Sequence, residues 1–257
     1  MKTQIVFFGS DQYGQKVLEV LKKSPQLEIA RVVKDKDDLQ GLQKALLRPD
    51  LGLVASFGAL IPQELLHWPK YGILNLHPSL LPKYRGPTPV PTAILKGEKE
   101  TGLTIIKIDE QIDHGPILAQ FKEPIKPQET SEDLLNRLFT LGADVLLTIL
   151  PGYLEGRIKE RKQDHSQATY TQKLTRQDGQ IDWTKPAEYQ ERFVRAMFPW
   201  PGAWAEVKIN QQVKRLKILK AHLEGKKLVL DSVQLEGKKP VTWKQFLEGY
   251  PQAKILS

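Results

Sequence analysis

The sequence contains no cysteine and only two methionines among its 257 residues. Without cysteine there can be no disulfide, no thiolate metal ligand and no cysteine nucleophile, and this composition is typical of a cytoplasmic protein. Long apolar runs are also scarce, and none approaches the roughly 20 residues that cross a bilayer. The apolar stretch of Gln4–Gly9 is too short for a signal peptide, so the sequence predicts a buried first strand there.

Positive charge is unevenly distributed along the chain. The formal net charge is +8, and the segment from Thr171 to Ser257 contributes +7 of it, with sixteen Lys and Arg against nine Asp and Glu. A near-neutral front joined to a basic back indicates contact with a polyanion, although a solubilising surface would have the same composition.

Apolar segments alternate with helical patterns through the first half. Predicted strands cover Gln4–Gly9, Glu28–Val33, Leu51–Phe57, Gly72–Leu76 and Leu103–Ile108. Predicted helices follow Ser10 or Asp11 and cover Asp38–Leu47, Pro62–Leu66, Thr92–Lys96 and Ser131–Leu150, the last ended by Pro151-Gly152. This alternation predicts an α/β fold with a doubly wound, Rossmann-like parallel sheet.

The pattern of apolar residues changes after an aperiodic polar stretch. A helix over Glu188–Met197 is followed by short strand patterns at Ala203–Lys208, Leu216–Ala221 and Lys227–Val233. Repeated short strands with glycine turns predict a small β-barrel of the OB-like kind. The predicted organisation is a catalytic domain at 1–155, a linker at 156–175 and a basic barrel domain at 176–257.

One cluster of polar residues carries most of the functional signal. Asn75 and His77 are two residues apart and would leave the same face of a strand, just before Pro78. An imidazole transfers protons near neutral pH, a carboxamide can donate to a developing oxyanion, and Asp113 supplies a carboxylate. The three suit transfer of an acyl group between two nitrogens. The plainer alternative is that Asn75 and His77 only cap a strand end.

Two motifs resemble the folate-dependent formyltransferase family. They are Asn75-Leu76-His77-Pro78-Ser79-Leu80-Leu81-Pro82 and Ile112-Asp113-His114-Gly115-Pro116. The resemblance implies 10-formyltetrahydrofolate as co-substrate, no metal, and catalytic roles for Asn75, His77 and Asp113. It also implies that the folate is contacted by Ser79, Leu80, Leu81, Pro82, Phe57, Gly58, Leu60, Ile61 and Asp109.

Further motifs resemble the branch of the family that formylates methionyl initiator tRNA. They are Lys83–Pro89, Asp178–Ala187, Phe198–Trp204 and Leu235–Pro240. The resemblance implies a monomeric cytoplasmic enzyme of translation initiation, with tRNA contacts at Lys83, Arg85, Lys208, Lys214, Arg215 and Lys217. The Pro-Trp-Pro-Gly-Ala-Trp segment is interpreted as a packed aromatic corner. The basic residues are favoured as phosphate contacts, and a solvated strand face is the alternative.

One departure from the family pattern leaves the acceptor open. Members of this branch typically carry a basic, glycine-containing insertion after the second strand, which enters the acceptor stem of the tRNA. Here Val33 runs through Lys34–Asp38 towards Leu51 without it. The alternatives are therefore a sugar-nucleotide N-formyltransferase with the same catalytic core and a non-catalytic tRNA-binding protein.

Overall fold

The computed structural model describes residues 2–45 and 48–256. The chain divides into two compact units. The first comprises the chain up to Pro89, Glu100–Pro124 and Leu135–Gln172; the second comprises Val90–Lys99, Ile125–Leu134 and the chain from Lys173.

The first unit is built on a six-stranded mixed sheet. Its strands are β1 (Thr3–Phe8), β2 (Leu27–Val33), β3 (Leu51–Val54), β4 (Ile73–His77), β5 (Glu100–Lys107) and β6 (Ile117–Pro124). They lie in the order β2-β1-β3-β4-β5-β6. β1 to β4 are mutually parallel, whereas β5 is antiparallel to β4 and β6 is antiparallel to β5.

The predicted α/β fold class is confirmed, but two details of the prediction were wrong. The fifth strand was expected to be parallel to the others, and β6 was not predicted. An apolar run indicates that a strand is buried but carries no information about its direction. β6 has a half-buried, weakly alternating pattern, so it gave little periodic signal.

Helices occur at all five predicted places, but their bounds differ from the predicted ones by up to four residues. They are α1 (Gln12–Lys22), α2 (Leu42–Ala45), α3 (Gln63–Leu66), α4 (Pro89–Lys96) and α5 (Ser131–Leu154). Of the helix predicted over Asp38–Leu47, the segment Asp37–Leu39 forms a separate 3-10 turn, and Leu46 and Leu47 lie outside the described residues. Asp11 caps α1 by accepting from the backbone N–H groups of Tyr13 and Gly14.

α5 extends beyond its predicted end. It continues past Pro151, because Glu155 N still donates to Pro151 O at 3.1 Å in the last turn. It is also the one helix of the described residues whose length and apolar composition match a membrane span. Leu138, Phe139 and Leu146 on this helix are buried within the protein, as in the core helix of a globular domain.

The second unit contains a five-stranded antiparallel sheet. Its strands are β7 (Ala203–Ile209), β8 (Gln212–Glu224), β9 (Lys227–Leu235), β10 (Val241–Thr242) and β11 (Lys254–Ile255), in the order β10-β9-β8-β7-β11. Helices α6 (Ala187–Met197) and α7 (Trp243–Gly249) complete this part of the chain. The arrangement is consistent with the predicted small barrel, whereas α7 and the two short edge strands were not predicted.

Candidate active site

β4 ends in the two polar residues singled out from the sequence. Leu74 and Leu76 are buried in the sheet core, and the alternate positions hold Asn75 and His77. His77 is only 4% exposed. Because β3 and β4 are parallel neighbours, the loops that follow them leave the same edge of the sheet, where open α/β sheets bind ligands.

The loop after β5 brings Asp113 to the same point. Its Oδ1 accepts from Asn75 Nδ2 at 3.3 Å, and its Oδ2 lies 3.4 Å from His77 Nδ1. The backbone N–H of Gly86 also donates to Oδ2 at 2.8 Å. The structure therefore brings Asn75, His77 and Asp113 together, with the Asp113 carboxylate at the centre.

The backbone at Asp113 is in the left-handed region, with φ of 49°. Asp tolerates this region better than most residues, because its short polar side chain can bond locally. Backbone conformations of this kind are found preferentially at functional sites. The turn at Asp113 places its carboxylate 12% exposed beside Asn75 and His77.

Both nitrogens of His77 face oxygen acceptors. Nε2 lies 3.0 Å from the carbonyl oxygen of Tyr84, and Nδ1 faces Asp113. Only the imidazolium can donate to both oxygens at once. Direct contact between His77 and a reacting oxygen would require the ring to give up one of these two contacts.

Gln163 fixes the loop that carries Asp113. Its Nε2 donates to the carbonyl oxygens of Asp113 and Gly115, at 2.8 and 2.7 Å. A Cβ on Gly115 would lie 1.8 Å from Lys107 O, so the loop passes directly against β5. Gln163 lies within the segment predicted as a linker, which through Gln172 belongs to the first unit. The predicted domain boundaries otherwise stay a prediction.

Arg85 does not lie where the expected tRNA contact requires it. The side chain is 1% exposed, and its guanidinium bonds Gln163 Oε1 at 2.8 Å, His165 Nδ1 at 2.8 Å and Tyr170 Oη at 3.2 Å. A guanidinium buried on these protein partners cannot reach an external phosphate. This corrects the expectation for Arg85, which instead supports Gln163; Lys83 is exposed.

Two stacked imidazoles extend this network towards Asp109. His114 and His165 stack with ring centroids 3.9 Å apart, and His114 Nδ1 lies 2.6 Å from Asp109 Oδ2. Desolvation, together with the nearby His114 and the Arg85 charge, lowers the pKa of His165 below its usual range. A neutral His165 is the form that accepts the hydrogen bond from Arg85.

The residues expected to contact folate fall into two groups. Ser79 and Leu81 are buried: Ser79 Oγ donates to Lys83 O at 2.8 Å, and Leu81 packs with Ile106 and Ile117. Their side chains shape the turn after β4. In the loop after β3, Phe57 is buried and Ile61 packs against the same core cluster, whereas Leu60 is 75% exposed.

The remaining expected folate residues are at least partly accessible. Gly58 is exposed, and Leu80, Pro82 and Asp109 are half-buried. Asp109 Oδ1 accepts from Gln111 N at 3.0 Å and Oδ2 is close to His114, so its carboxylate is already engaged within its own loop. Among the described residues, no group of three or more His, Asp or Glu could hold a metal ion.

Three contacts at this site were not found from the sequence: Gly86 N, Tyr84 O and the Gln163 side chain. The first two are backbone atoms of the turn that follows the Asn-x-His pair, so the side-chain pattern gives no signal for them. Gln163 lies in a polar, aperiodic stretch and reaches Asp113 over 50 positions.

A cavity of about 410 Å³ lies elsewhere in the first unit. It is lined by residues that include Arg48, Tyr71, Lys107 and Tyr153, beside the amino end of β4. Burial, with a smaller effect from Glu160, raises the pKa of Tyr153 to about 12, and its hydroxyl donates to Tyr71 O at 2.6 Å. The cavity is therefore separate from the cluster at the carboxyl end of β4.

In the second unit, the expected basic residues do not share one face. Strand alternation and the register put Lys208, Arg215 and Lys217 on one side of β7 and β8, and all three are exposed. Lys214 lies instead on the opposite side, the face that carries the buried Leu216 and Ile218. The four basic side chains therefore do not form a single surface of the sheet.

Comparison with known proteins gives matches in both parts of the chain. A family model described as "Formyl transferase" matches residues 45–150, and one described as "Formyl transferase, C-terminal domain" matches residues 173–228. A methionyl-tRNA formyltransferase of Roseiflexus sp. (strain RS-1) is 53% identical over 159 residues, which are 62% of this chain and 49% of that protein. The match thus spans about half the length of that relative.

Two further similarities extend over more of the chain. A methionyl-tRNA formyltransferase of Roseiflexus castenholzii is 40% identical over 236 residues, covering 79% of this chain and 75% of that protein. The structure of HypX from Aquifex aeolicus in complex with tetrahydrofolic acid superposes with a TM-score of 0.78 at 19% identity, covering 98% of this chain and 48% of that one. The similarity to HypX shows the fold. The similarity to the Roseiflexus castenholzii protein shows that the chain belongs to the formyl transferase family.

Proposed function

We propose that the protein transfers a formyl group from 10-formyltetrahydrofolate to the α-amino group of methionyl initiator tRNA. The observation that carries the proposal is the convergence of Asn75, His77 and Asp113 at the carboxyl end of β4. The relatives named methionyl-tRNA formyltransferase support the choice of acceptor. The structure of HypX with tetrahydrofolic acid supports a folate as the formyl donor.

The residues at this edge fit such a donor in two respects. Asn75 carries amide hydrogens that can donate to the oxygen of a formyl group. Leu60, 75% exposed in the neighbouring loop, offers an apolar surface for a planar ring. When bound, 10-formyltetrahydrofolate supplies the one-carbon group to be transferred.

The side chains suit the charge changes of this reaction. The amine of the acceptor forms a bond to the formyl carbon, and the bond from that carbon to the donor nitrogen breaks. Asn75 stabilises the oxygen as negative charge develops on it, helped by the positive charge of the His77 imidazolium. Asp113 takes the proton that the amine loses, directly or through water, and the departing nitrogen gains a proton in turn.

Holding the two reactants in one place supplies a large part of the rate. The site is suited to this because the Asp113 loop is fixed by three partners, Gly86, Gln163 and Asn75. No covalent intermediate with the protein is needed. The proposal therefore assigns polar and positioning roles to the chain and leaves the reactive carbon on the co-substrate.

The test is a formyl-transfer assay with 10-formyltetrahydrofolate and charged tRNA. Asp113→Asn keeps the shape of the side chain and removes its charge, so kcat should fall by about 10²- to 10⁴-fold. Glu110→Gln is the matched control, because it makes the same change at an exposed position of the same loop. A folded Asp113→Asn protein with wild-type turnover would rule out the assigned role.

The acceptor is tested in parallel assays. Initiator methionyl-tRNA should be formylated faster than elongator methionyl-tRNA. Formylation of an amino-sugar nucleotide in place of both would overturn the proposed acceptor while leaving the catalytic roles intact. Salt-sensitive retention of tRNA with no formyl transfer at all would make the chain a binding protein and overturn the proposal.

A further inference from the structure

The second unit has a cavity of about 320 Å³ on one face of its sheet. Its lining combines aromatic and cationic side chains, among them Arg176, Trp200, Trp204, Arg215, Lys217 and Glu236. The Pro-Trp-Pro-Gly-Ala-Trp segment, read from the sequence as a packed corner, therefore contributes both of its tryptophans to a surface cleft.

The β7–β8 register explains why these residues lie together. Trp204 pairs with Lys217, and Glu206 pairs with Arg215. Because side chains alternate between the two faces of a strand, Trp204, Arg215 and Lys217 share one face. The other face carries the buried Leu216 and Ile218. The cationic residues therefore lie on the side of β8 away from the core.

The two tryptophans have different environments. Trp204 is 5% exposed, its indole N–H donates to Arg176 O at 3.0 Å, and the Arg215 guanidinium lies 4.1 Å from its ring centroid. Trp200 is 54% exposed, with the Arg176 guanidinium 6.0 Å from its ring centroid. Trp204 thus anchors the loop and positions Arg215, whereas Trp200 offers much of its ring to a ligand.

The charge of the cleft selects the kind of ligand. Arg176, Arg215 and Lys217 contribute three positive charges at the cleft, against one carboxylate from Glu236. A planar ring surrounded by cations matches a nucleobase with its phosphate, since bases stack on aromatic side chains and phosphates bind Arg and Lys. Inside a double helix the base faces are already stacked on each other, so only an unpaired base can stack on the ring of Trp200.

We propose that this cleft binds an unpaired nucleotide of an RNA, with the base stacked on Trp200 and a phosphate held by Arg215 and Lys217. The identification of that RNA as the acceptor tRNA rests on the proposed function. The subsite itself is defined by the second unit alone, so it can be tested by binding without any formyl transfer.

The first experiment measures the affinity of the full chain for two RNA hairpins whose stems are closed by a non-nucleotide linker, one blunt and one with a single-stranded 3′ extension. The wild type should bind the extended hairpin more tightly. Trp200→Leu should weaken that binding by about 5- to 150-fold, the range expected for the loss of one stacked base. Trp200→Phe keeps an aromatic face and should retain most of the affinity. Binding of the blunt hairpin should be nearly unchanged in both.

The second experiment separates stacking from charge by measuring affinity against salt concentration. Each phosphate contact on a single strand contributes about −0.7 to the log-log slope, so Arg215→Ala should make the slope shallower by roughly that amount. Trp200→Leu removes no charge and should leave the slope as it is. Lys226→Ala, in the exposed turn between β8 and β9, is the control for loss of a cation elsewhere in the unit.

Three outcomes would overturn the subsite: equal affinity of wild type for the two hairpins, full affinity of a folded Trp200→Leu protein for the extended one, or an unchanged slope in Arg215→Ala. Equal binding of a free mononucleotide and the extended hairpin would replace the RNA with a small nucleotide ligand. A wild-type protein that shows these binding differences but no formyl transfer would overturn only the proposed function.

Discussion

At the residue scale, Gln163 shows how the candidate active site is supported. One side-chain amide donates to two carbonyl oxygens of the Asp113 loop, and its oxygen accepts from Arg85. All three bonds are buried or partly buried, and Gln163 itself is 6% exposed. Leaving one buried partner of this kind unsatisfied costs about 1–3 kcal/mol, and more where the partner is charged.

Gln163→Leu should therefore lower both stability and turnover. It removes the three bonds at similar size, so the free energy of unfolding should fall by at least the roughly 1–3 kcal/mol of one such partner. The kcat should also fall, because Asp113 loses its fixed position. Gln167→Leu is the matched control at an exposed position nearby and should change stability by less than about 0.5 kcal/mol. Denaturant unfolding and the formyl-transfer assay measure the two effects. Equal behaviour of the two variants would contradict the supporting role of Gln163.

The difference between Asn75 and Gln163 shows what the sequence could predict at this scale. Asn75 and His77 are two residues apart on a strand, so local geometry alone puts them on one face. Asp113 was grouped with them as the carboxylate of an acyl-transfer site, and its catalytic role was implied by the family resemblance. Gln163 and the Tyr84 carbonyl had no such link, because their contacts depend on how separate loops pack. A long-range contact of a polar residue in an aperiodic segment leaves no local pattern.

At the element scale, the β8–β9 hairpin contains a titratable pair. His222 Nδ1 lies 2.8 Å from Asp231 Oδ1, and His222 Nε2 lies 3.4 Å from Glu224 Oε1. The hydrogen bond to Asp231 raises the pKa of His222 above its usual range, partly opposed by desolvation. A raised pKa means that the folded hairpin binds the proton more tightly than the unfolded chain does.

Replacing Asp231 with Asn should remove most of this effect. Stabilisation by protonated His222 is fully present below the ordinary histidine pKa of about 6.5 and is lost as the pH rises through the raised value. The difference in stability between wild type and Asp231→Asn should thus be larger at pH 5.5 than at pH 8.5. NMR titration should show a lower pKa for His222 in the variant. An unchanged His222 titration would show that Asp231 is not the cause.

The elements themselves differ in how far the sequence could predict them. Long apolar or amphipathic segments such as α5 and α6 were found, because burial of one face requires that periodicity. α7 was missed although Thr242 and Gln245 form a capping box, which is a local signal. The direction of β5 was missed for a different reason, since it depends on the path of the chain between strands.

At the scale of the whole molecule, charge follows the division of the chain. The basic segment from Thr171 accounts for nearly all of the net charge, and its start nearly coincides with Lys173, where the last part of the second unit begins. Composition could predict this partition but not that α4 belongs largely to the second unit, which depends on tertiary contacts. The sequence also showed that the segment between Val33 and Leu51 is too short to hold the basic insertion of related enzymes. The basic second unit is therefore the main candidate for RNA contact.

This distribution predicts different salt responses for the two reactants. Lys208, Arg215 and Lys217 are exposed on one face, and with about −0.7 to −0.9 in log-log slope for each phosphate contact, tRNA affinity should fall with a slope of about −2 to −3. The KM for 10-formyltetrahydrofolate should change much less, because its proposed site lies in the nearly neutral part of the chain. Equilibrium tRNA binding and steady-state kinetics with the folate, both between 50 and 200 mM salt, measure the two quantities. Thermal unfolding over the same range is the control for stability. A tRNA affinity as insensitive to salt as the folate KM would contradict a cationic RNA-binding surface on the second unit.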